Sequence, residues 1–292
     1  MKSATRAPGR AAGMSDLPFW LPSVLGFLVI TIPALFEMAQ QTWSSEAGTH
    51  APIVLATGGW LLYNNGLRMS DARRGAGTSW IATAGLVSAL IVYIFGRAYG
   101  FLFLEGLAVF AVFVTLIYRL FGIAELHRQA FPLFYLSFVV PLPNWLLHPI
   151  TGPLQNLVSR AAEGIVAAAG YPVARQGVAL FVGPYQLLVE DACSGLNSLI
   201  GLIAISLFYI YIIHRGSWRY ALTLVLFIIP IAIFVNIIRV TIIMLICYHL
   251  GDAAAQGIMH ATTGMVLFVF SLASIFLIDK LLSTRLRRTA HA

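Results

Sequence analysis

The chain has 292 residues, 59% of them hydrophobic and only 10% charged, with a mean hydropathy of +0.86. Soluble domains carry about 25% charged residues, so this composition excludes a soluble globular enzyme and indicates a polytopic membrane protein. The net charge of +7 does not point to nucleic acid, because Lys and Arg gather in short segments between apolar runs, where a topology signal places them.

In chain order, a basic tail over 1–18 precedes the first apolar run. That run lacks a small-residue cleavage site, so it is expected to remain as an uncleaved first span. A bilayer core takes about 20 apolar residues per helix. On that measure eight spans are predicted, near 19–39, 51–67, 79–96, 101–118, 130–148, 195–213, 220–248 and 262–279. Fourteen of the 18 Lys and Arg then fall on one side: in the N-terminal tail, RMSDARR, YRLFGIAELHRQ, HRGSWR and the C-terminal tail. The positive-inside rule makes that side cytoplasmic and places both termini there. The fold expected is an all-α membrane protein, a single integral domain over 19–292, with a catalytic part about 130–280 and a cytoplasmic tail from about 281.

This orientation puts the long segment 149–193 outside. Its first part, PLQNLVSRAAEGIVAAAG, sets Leu154, Leu157, Val158, Ala161, Ile165 and Ala168 on one helical face, with Gln155, Asn156, Ser159, Arg160 and Glu163 on the other. Such a pattern predicts a helix lying in the membrane interface. The β-prone runs Val178–Val182 and Tyr185–Val189 flank Gly183-Pro184 and predict a small extracytoplasmic hairpin.

The hairpin feeds VEDACSGLNSL, where two acids, a thiol and a Ser-Gly pair stand at the mouth of an apolar run. Backbone N–H groups at a helix start stabilise a thiolate at Cys193, and Asp191 or Ser194 can cap that helix. Glu190 and Asp191 act in the opposite sense, so a reactive thiolate there requires a cationic partner. Arg239 supplies a candidate, since a guanidinium inside a span is costly without a partner or a watery cavity. Asn236, three residues earlier, shares its helix face. If the helix ends near Leu250, Arg239 lies about 16 Å inward along it, which predicts a recessed site. The alternative is an Arg paired for packing with Glu105 or Glu163. His260 opens the last span on the outer side and offers a base that titrates near neutral pH; His249 competes for that role. Cys247, inside an apolar segment, reads as a small buried hydrophobe. Two cysteines are too few for a disulfide scaffold.

At ACSGLNSL (192–199), NIIRVTIIM (236–244) and HATTG (260–264), the chain resembles the exosortase/archaeosortase family of polytopic membrane cysteine transpeptidases. The resemblance continues upstream through VVPLPNWLLHPITGPLQNLVSRAAEGIVAAAGYPVARQGV and is loose over the first four spans. It implies a nucleophile at Cys193, a stabilising Arg at Arg239 and an acid/base at His260, with no metal and no cofactor. It also implies an inner-membrane enzyme whose site faces the periplasm or cell exterior. The implied partners are secreted proteins with a tripartite C-terminal signal: a Pro-Glu-Pro-type motif, a membrane helix and a basic cluster. Glu190, Asp191, Ser194, Asn197 and Asn236 are supporting or substrate-binding candidates. Asn197 stands where family members often carry a basic residue. GTH at 48–50 resembles a family His-Gly element, which makes His50 a further candidate. The competing readings are a transporter and a non-catalytic scaffold of polysaccharide export. No inverted repeat supports the first, and neither GxSxG nor HExxH occurs to suggest another protease class.

Overall fold

A computed structural model of the protein describes residues 19–43, 48, 50–68, 71–72, 76–188, 195–213, 218–256, 269–270, 273–274 and 276–281. The elements are α1 (Leu21–Met38, continued by a π turn Ala39–Trp43), α2 (Ala51–Asn64), α3 (Ser79–Tyr99), α4 (Leu102–Phe121), α5 (Ile123–Arg128) and α6 (Ala130–Leu136, continued by a 3-10 turn Ser137–Val139). They are followed by α7 (Asn144–Ala168), β1 (Val173–Gln176), β2 (Ala179–Val182), β3 (Tyr185–Leu188), α8 (Gly195–Ile213), α9 (Trp218–Leu250) and α10 (Asp252–Gln256). The chain divides into two compact units, Met1–Phe36 with Asn65–Gln129, and Glu37–Asn64 with Ala130–Ala292.

In the first unit α3 and α4 pack side by side, joined through Gly100, whose φ of 70° ends α3 in the left-handed conformation. The Tyr93 hydroxyl donates to the Ile30 carbonyl at 3.2 Å, and Phe27 stacks on Phe113 at 5.6 Å, which ties α1 to this hairpin. Val29, Ile32, Ile91 and Ile94 point outward, an arrangement unfavourable in water and suited to lipid.

The second unit is layered around α8. On one side Val54 and Leu61 of α2, Tyr135 of α6 and Ala204 of α8 form a core. On the other, Ile210 of α8 packs with Leu224, Ile228 and Ala232 of α9. A third core joins Val158, Ala162 and Val166 of α7 to Leu180, Val182 and Leu187 of the sheet and Val240, Ile243, Met244 and Cys247 of α9. The sheet is antiparallel in the order β1-β2-β3, with Gln176 opposite Ala179 and Val182 opposite Tyr185. Both connections therefore have two residues, each opening with a glycine at positive φ (Gly177 at 64°, Gly183 at 56°), the position that a type II′ turn reserves for glycine.

Among the described residues, four helical stretches are long and apolar enough to cross a membrane: Leu21–Trp43, Ser79–Tyr99, Leu102–Phe121 and Leu222–Leu250. They coincide with the first, third, fourth and seventh expected spans. The expected second span is α2, 14 residues or about 21 Å, short of a ~30 Å hydrocarbon core. The expected fifth span, 130–148, is not one helix. It breaks at 140–143, where Pro141 and Pro143 remove two N–H donors and force the residues before them out of the helical region. The expected sixth span, 195–213, is the 19-residue apolar helix α8, about 28 Å long; most of the eighth, 262–279, lies outside the described residues.

The amphipathic helix exists as α7, beginning at Asn144 and running through Pro149 and Pro153. Its buried stripe is Val158, Ser159, Ala162 and Val166, whereas Leu157 and Ile165 are half exposed. The expected face is thus rotated by about one residue. An apolar helix between protein and lipid has two apolar sides, and composition alone does not tell them apart. The expected hairpin is β2–β3 and gains a third strand, β1. VARQ gave no strand signal because its two polar residues leave no apolar alternation to read.

Candidate functional site

Two of the candidate residues, Asn236 and Arg239, are carried by α9. Ala232, Val235, Asn236, Arg239, Val240, Ile243, Met244 and Cys247 are all buried. Their spacing of three and four is that of a single helical stripe, and Asn236 and Arg239 stand in phase with the aliphatic residues that pack α9 onto its neighbours. Arg239 is 4% exposed and Asn236 8%. α9 has 33 residues, about 50 Å of helix, with Arg239 about 16 Å from its Leu250 end. The acids weighed as packing partners are engaged elsewhere. Glu105 bonds to Arg97 at 3.0 Å and Glu163 to Arg175 at 3.0 Å. Cys247 is fully buried among Val240, Ile243 and Met244, the packing role expected of it.

His249, the competing base, lies 3.0 Å through Nε2 from the Tyr171 hydroxyl, in an exposed aromatic cluster where Tyr171 and Tyr248 meet edge to face at 5.1 Å. That cluster closes the end of α9 over the sheet. Cys193, Glu190, Asp191, Ser194 and His260 lie outside the described residues. Asn197 belongs to the first turn of α8.

His50 is placed by the structure within the second unit, directly before α2. Its imidazole is 8% exposed, and Nε2 lies 3.1 Å from the Phe138 carbonyl. A carbonyl only accepts, so Nε2–H donates and the lone pair resides on Nδ1. Nδ1 is buried and has no hydrogen-bond partner among the described residues. Burial lowers the pKa below the ordinary histidine value, and the bond to Phe138 offsets part of this. The ring lies against Gly201 of α8, where an added Cβ would stand 3.1 Å from His50 Cβ.

Beside His50 is a cleft of about 270 Å³. Its walls include Trp43, Phe134, Phe138, Leu147 and Ile200, with Thr42, His50 and Ser137 as polar members, and the stretch Val139–Leu142 forms one side. The sequence reading missed this wall. The signal for it is the Pro141-x-Pro143 spacing, since two prolines two residues apart disfavour the interior of a helical span. Among the described residues no group of three His, Cys, Asp or Glu side chains is placed to hold a metal ion.

No curated protein and no solved structure matches the chain. The family model described as transmembrane exosortase (Exosortase_EpsH) matches residues 42–277. This range takes in α2, the cleft, the sheet, α8 and α9, as well as the unit-one hairpin of α3 and α4. Covering well over half of the 292 residues, the match establishes that this multi-pass membrane protein belongs to the transmembrane exosortase family.

Proposed function

We propose that the chain is a membrane cysteine transpeptidase or protease. It would cut the C-terminal sorting signal of secreted proteins at the outer face of the bacterial inner membrane, with both of its own termini in the cytoplasm. The observation that carries this reading beyond family membership is the burial of Arg239 and Asn236 on the inward stripe of α9. A buried ionisable group in a membrane helix marks function more often than packing.

In this reading Cys193 attacks the scissile carbonyl as a thiolate, and Arg239 stabilises the oxyanion of the tetrahedral intermediate. His260 gives its proton to the leaving amine as the C–N bond breaks, which leaves a thioester on Cys193. An incoming amine or water then loses its proton to His260, attacks the thioester carbonyl and releases the thiolate. Glu190, Asp191, Ser194, Asn197 and Asn236 orient these groups or the substrate. The substrate's own tail helix holds its motif at the outer interface, so that binding is intramolecular in effect.

The test is co-expression with a secreted reporter ending in a Pro-Glu-Pro-type motif, an apolar helix and a basic cluster, with loss of the tail followed by mass. Cys193→Ala is expected to abolish processing and His260→Ala to reduce it severely. Processing that survives Cys193→Ala would refute the cysteine mechanism.

A further inference from the structure

α9 is longer than the membrane it enters. Its 33 residues make about 50 Å of helix, against a hydrocarbon core of ~30 Å. A tilt of about 20° lengthens the path through that core by only about 2 Å, so roughly a dozen residues stand outside it. Composition does not say which end protrudes, because 220–238 and 240–248 are both free of charged residues. Packing does. Leu222, Leu226, Phe227, Ile229 and Phe234 are exposed, as apolar side chains facing lipid are. From Val235 to Cys247 no residue is exposed. This stretch instead gives Val240, Ile243, Met244 and Cys247 to the core shared with α7 and the sheet.

That core belongs outside the hydrocarbon. A three-stranded sheet in the order β1-β2-β3 has two open edges, and lipid does not tolerate open sheet edges. Gln176 and Gln186 of the sheet and Arg160 of α7 are exposed. Arg175 of β1 pairs with Glu163 of α7 at 3.0 Å, with side chains 20% and 30% exposed. Groups of this kind face water. Because Leu180, Val182 and Leu187 pack with residues 240–247 of α9, the helix has left the hydrocarbon where that contact begins. Counting from the other end gives the same level: Arg219 and Arg239 are 20 residues apart along α9, about 30 Å, one hydrocarbon thickness. The rival boundary is the exposed cluster of Tyr171, Tyr248 and His249, since aromatic residues gather at membrane interfaces. It would put the open sheet edges and the Arg175–Glu163 pair in lipid.

We propose that α9 leaves the hydrocarbon at about Arg239, and that the second half of α7, the sheet and the end of α9 form a cap standing in water on the bilayer. The base of this cap takes a peptide bond at the membrane surface. The distance of about 16 Å from Arg239 to Leu250 is then the height of the cap above the lipid, not the depth of a recess below it. The chemistry at that base rests on the proposed function and narrows it, to an interfacial protease rather than an intramembrane one. A substrate held by its own tail helix leaves the hydrocarbon at the level of Arg239, so the bond presented there lies in the first residues outside that helix. A wall of 16 Å flanks about five extended residues. Water or an amine, the second reactant, reaches this level without crossing lipid.

The test places single spin labels in the full chain in phosphatidylethanolamine–phosphatidylglycerol vesicles. Leu226→Cys, Phe234→Cys, Gln176→Cys, Gln186→Cys and Leu250→Cys each carry the label at an exposed position. Cys193→Ala removes the reactive thiol, and the fully buried Cys247 is left in place. Collision with oxygen, which concentrates in lipid, is compared with collision with a nickel chelate, which stays in water. Oxygen is expected to dominate at 226 and 234, and the chelate at 176, 186 and 250. Oxygen dominating at 186 or 250 would move the boundary to the aromatic cluster and overturn the cap. Depth is read without catalysis, so failure of the cysteine mechanism and failure of the cap give different results. In the unlabelled chain that retains Cys193, the mass of the released reporter is expected to place the cut within about five residues of its tail helix. A cut inside the apolar helix would overturn the interfacial site.

Discussion

Two buried charges, one in each unit, invite comparison. Glu105 in the first turn of α4 is 2% exposed, and Arg239 deep in α9 is 4% exposed. Glu105 is answered locally. Arg97 stands eight residues earlier across the Gly100 turn, binds it at 3.0 Å and keeps its own side chain 44% exposed, so the pair closes one hairpin and reaches solvent. Arg239 lies about 16 Å from the nearer end of a 33-residue helix. It shares its stripe with Asn236 and with the aliphatic residues that pack α9 against α7 and the sheet. A charge that a neighbouring turn neutralises holds a hairpin together. Arg239 is placed instead in the packed face of a long helix, far from its nearer end.

The sharpest way to break this comparison is Arg239→Ala. Loss of an oxyanion-stabilising group costs about 10²- to 10³-fold in turnover, measured as the rate of reporter tail loss at equal membrane abundance. Arg239→Lys is expected to recover little, since a point charge does not reproduce the planar fork. Retained activity in Arg239→Ala would make the two buried charges alike.

Arg97→Ala should act on stability instead. It strands the Glu105 carboxylate in the hairpin at a cost of about 1–3 kcal/mol, read as a lower melting temperature in detergent. Glu105→Gln, which leaves only a half-exposed Arg97, is expected to cost less. A severe loss of processing in a still-folded Arg97→Ala chain would contradict the division of roles.

Gly201→Val probes the packing that holds His50. Its Cβ would press on His50 Cβ at 3.1 Å, an overpacking penalty of about 1–3 kcal/mol, visible as a lowered melting temperature. An unshifted melting temperature would mean that α8 gives way there.

The smallest effect is that of pH. Burial depresses the folded-state pKa of His50 below 6.5, so the unfolded chain takes up the proton first. The stability associated with neutral His50 is complete above pH 6.5 and lost as pH falls from there through the folded-state pKa. Melting temperature should decline over that window, and His50→Gln should flatten the decline. A slope unchanged in His50→Gln would assign it to another group.

The candidate residues stand out in the sequence because they are incongruous there, and of them the structure describes His50, Asn197, Asn236 and Arg239. An Arg and an Asn in an aliphatic run are visible without any coordinates, as are a thiol beside two acids and a His at the head of a span. The cleft was not legible. Its walls come from residues 42, 43, 48, 50, 51, 134, 137–142, 147 and 200, which are remote in sequence and individually ordinary. The rotated face of α7 shows the same limit, because hydropathy separates apolar from polar and does not separate a helix partner from lipid.

The sequence by itself determined that the chain spans a membrane, where four long apolar helices lie, and which polar side chains had to find places among apolar ones. Each of these follows from solvation, and solvation free energies are local properties of residues. Tertiary structure alone decided that Glu105 and Glu163 go to Arg97 and Arg175. It alone decided that His50 props the Phe138 carbonyl, and that the two prolines break an expected span beside a cleft. Those outcomes depend on which surfaces meet, and pairing in space is fixed by packing across the chain rather than by any one segment of it.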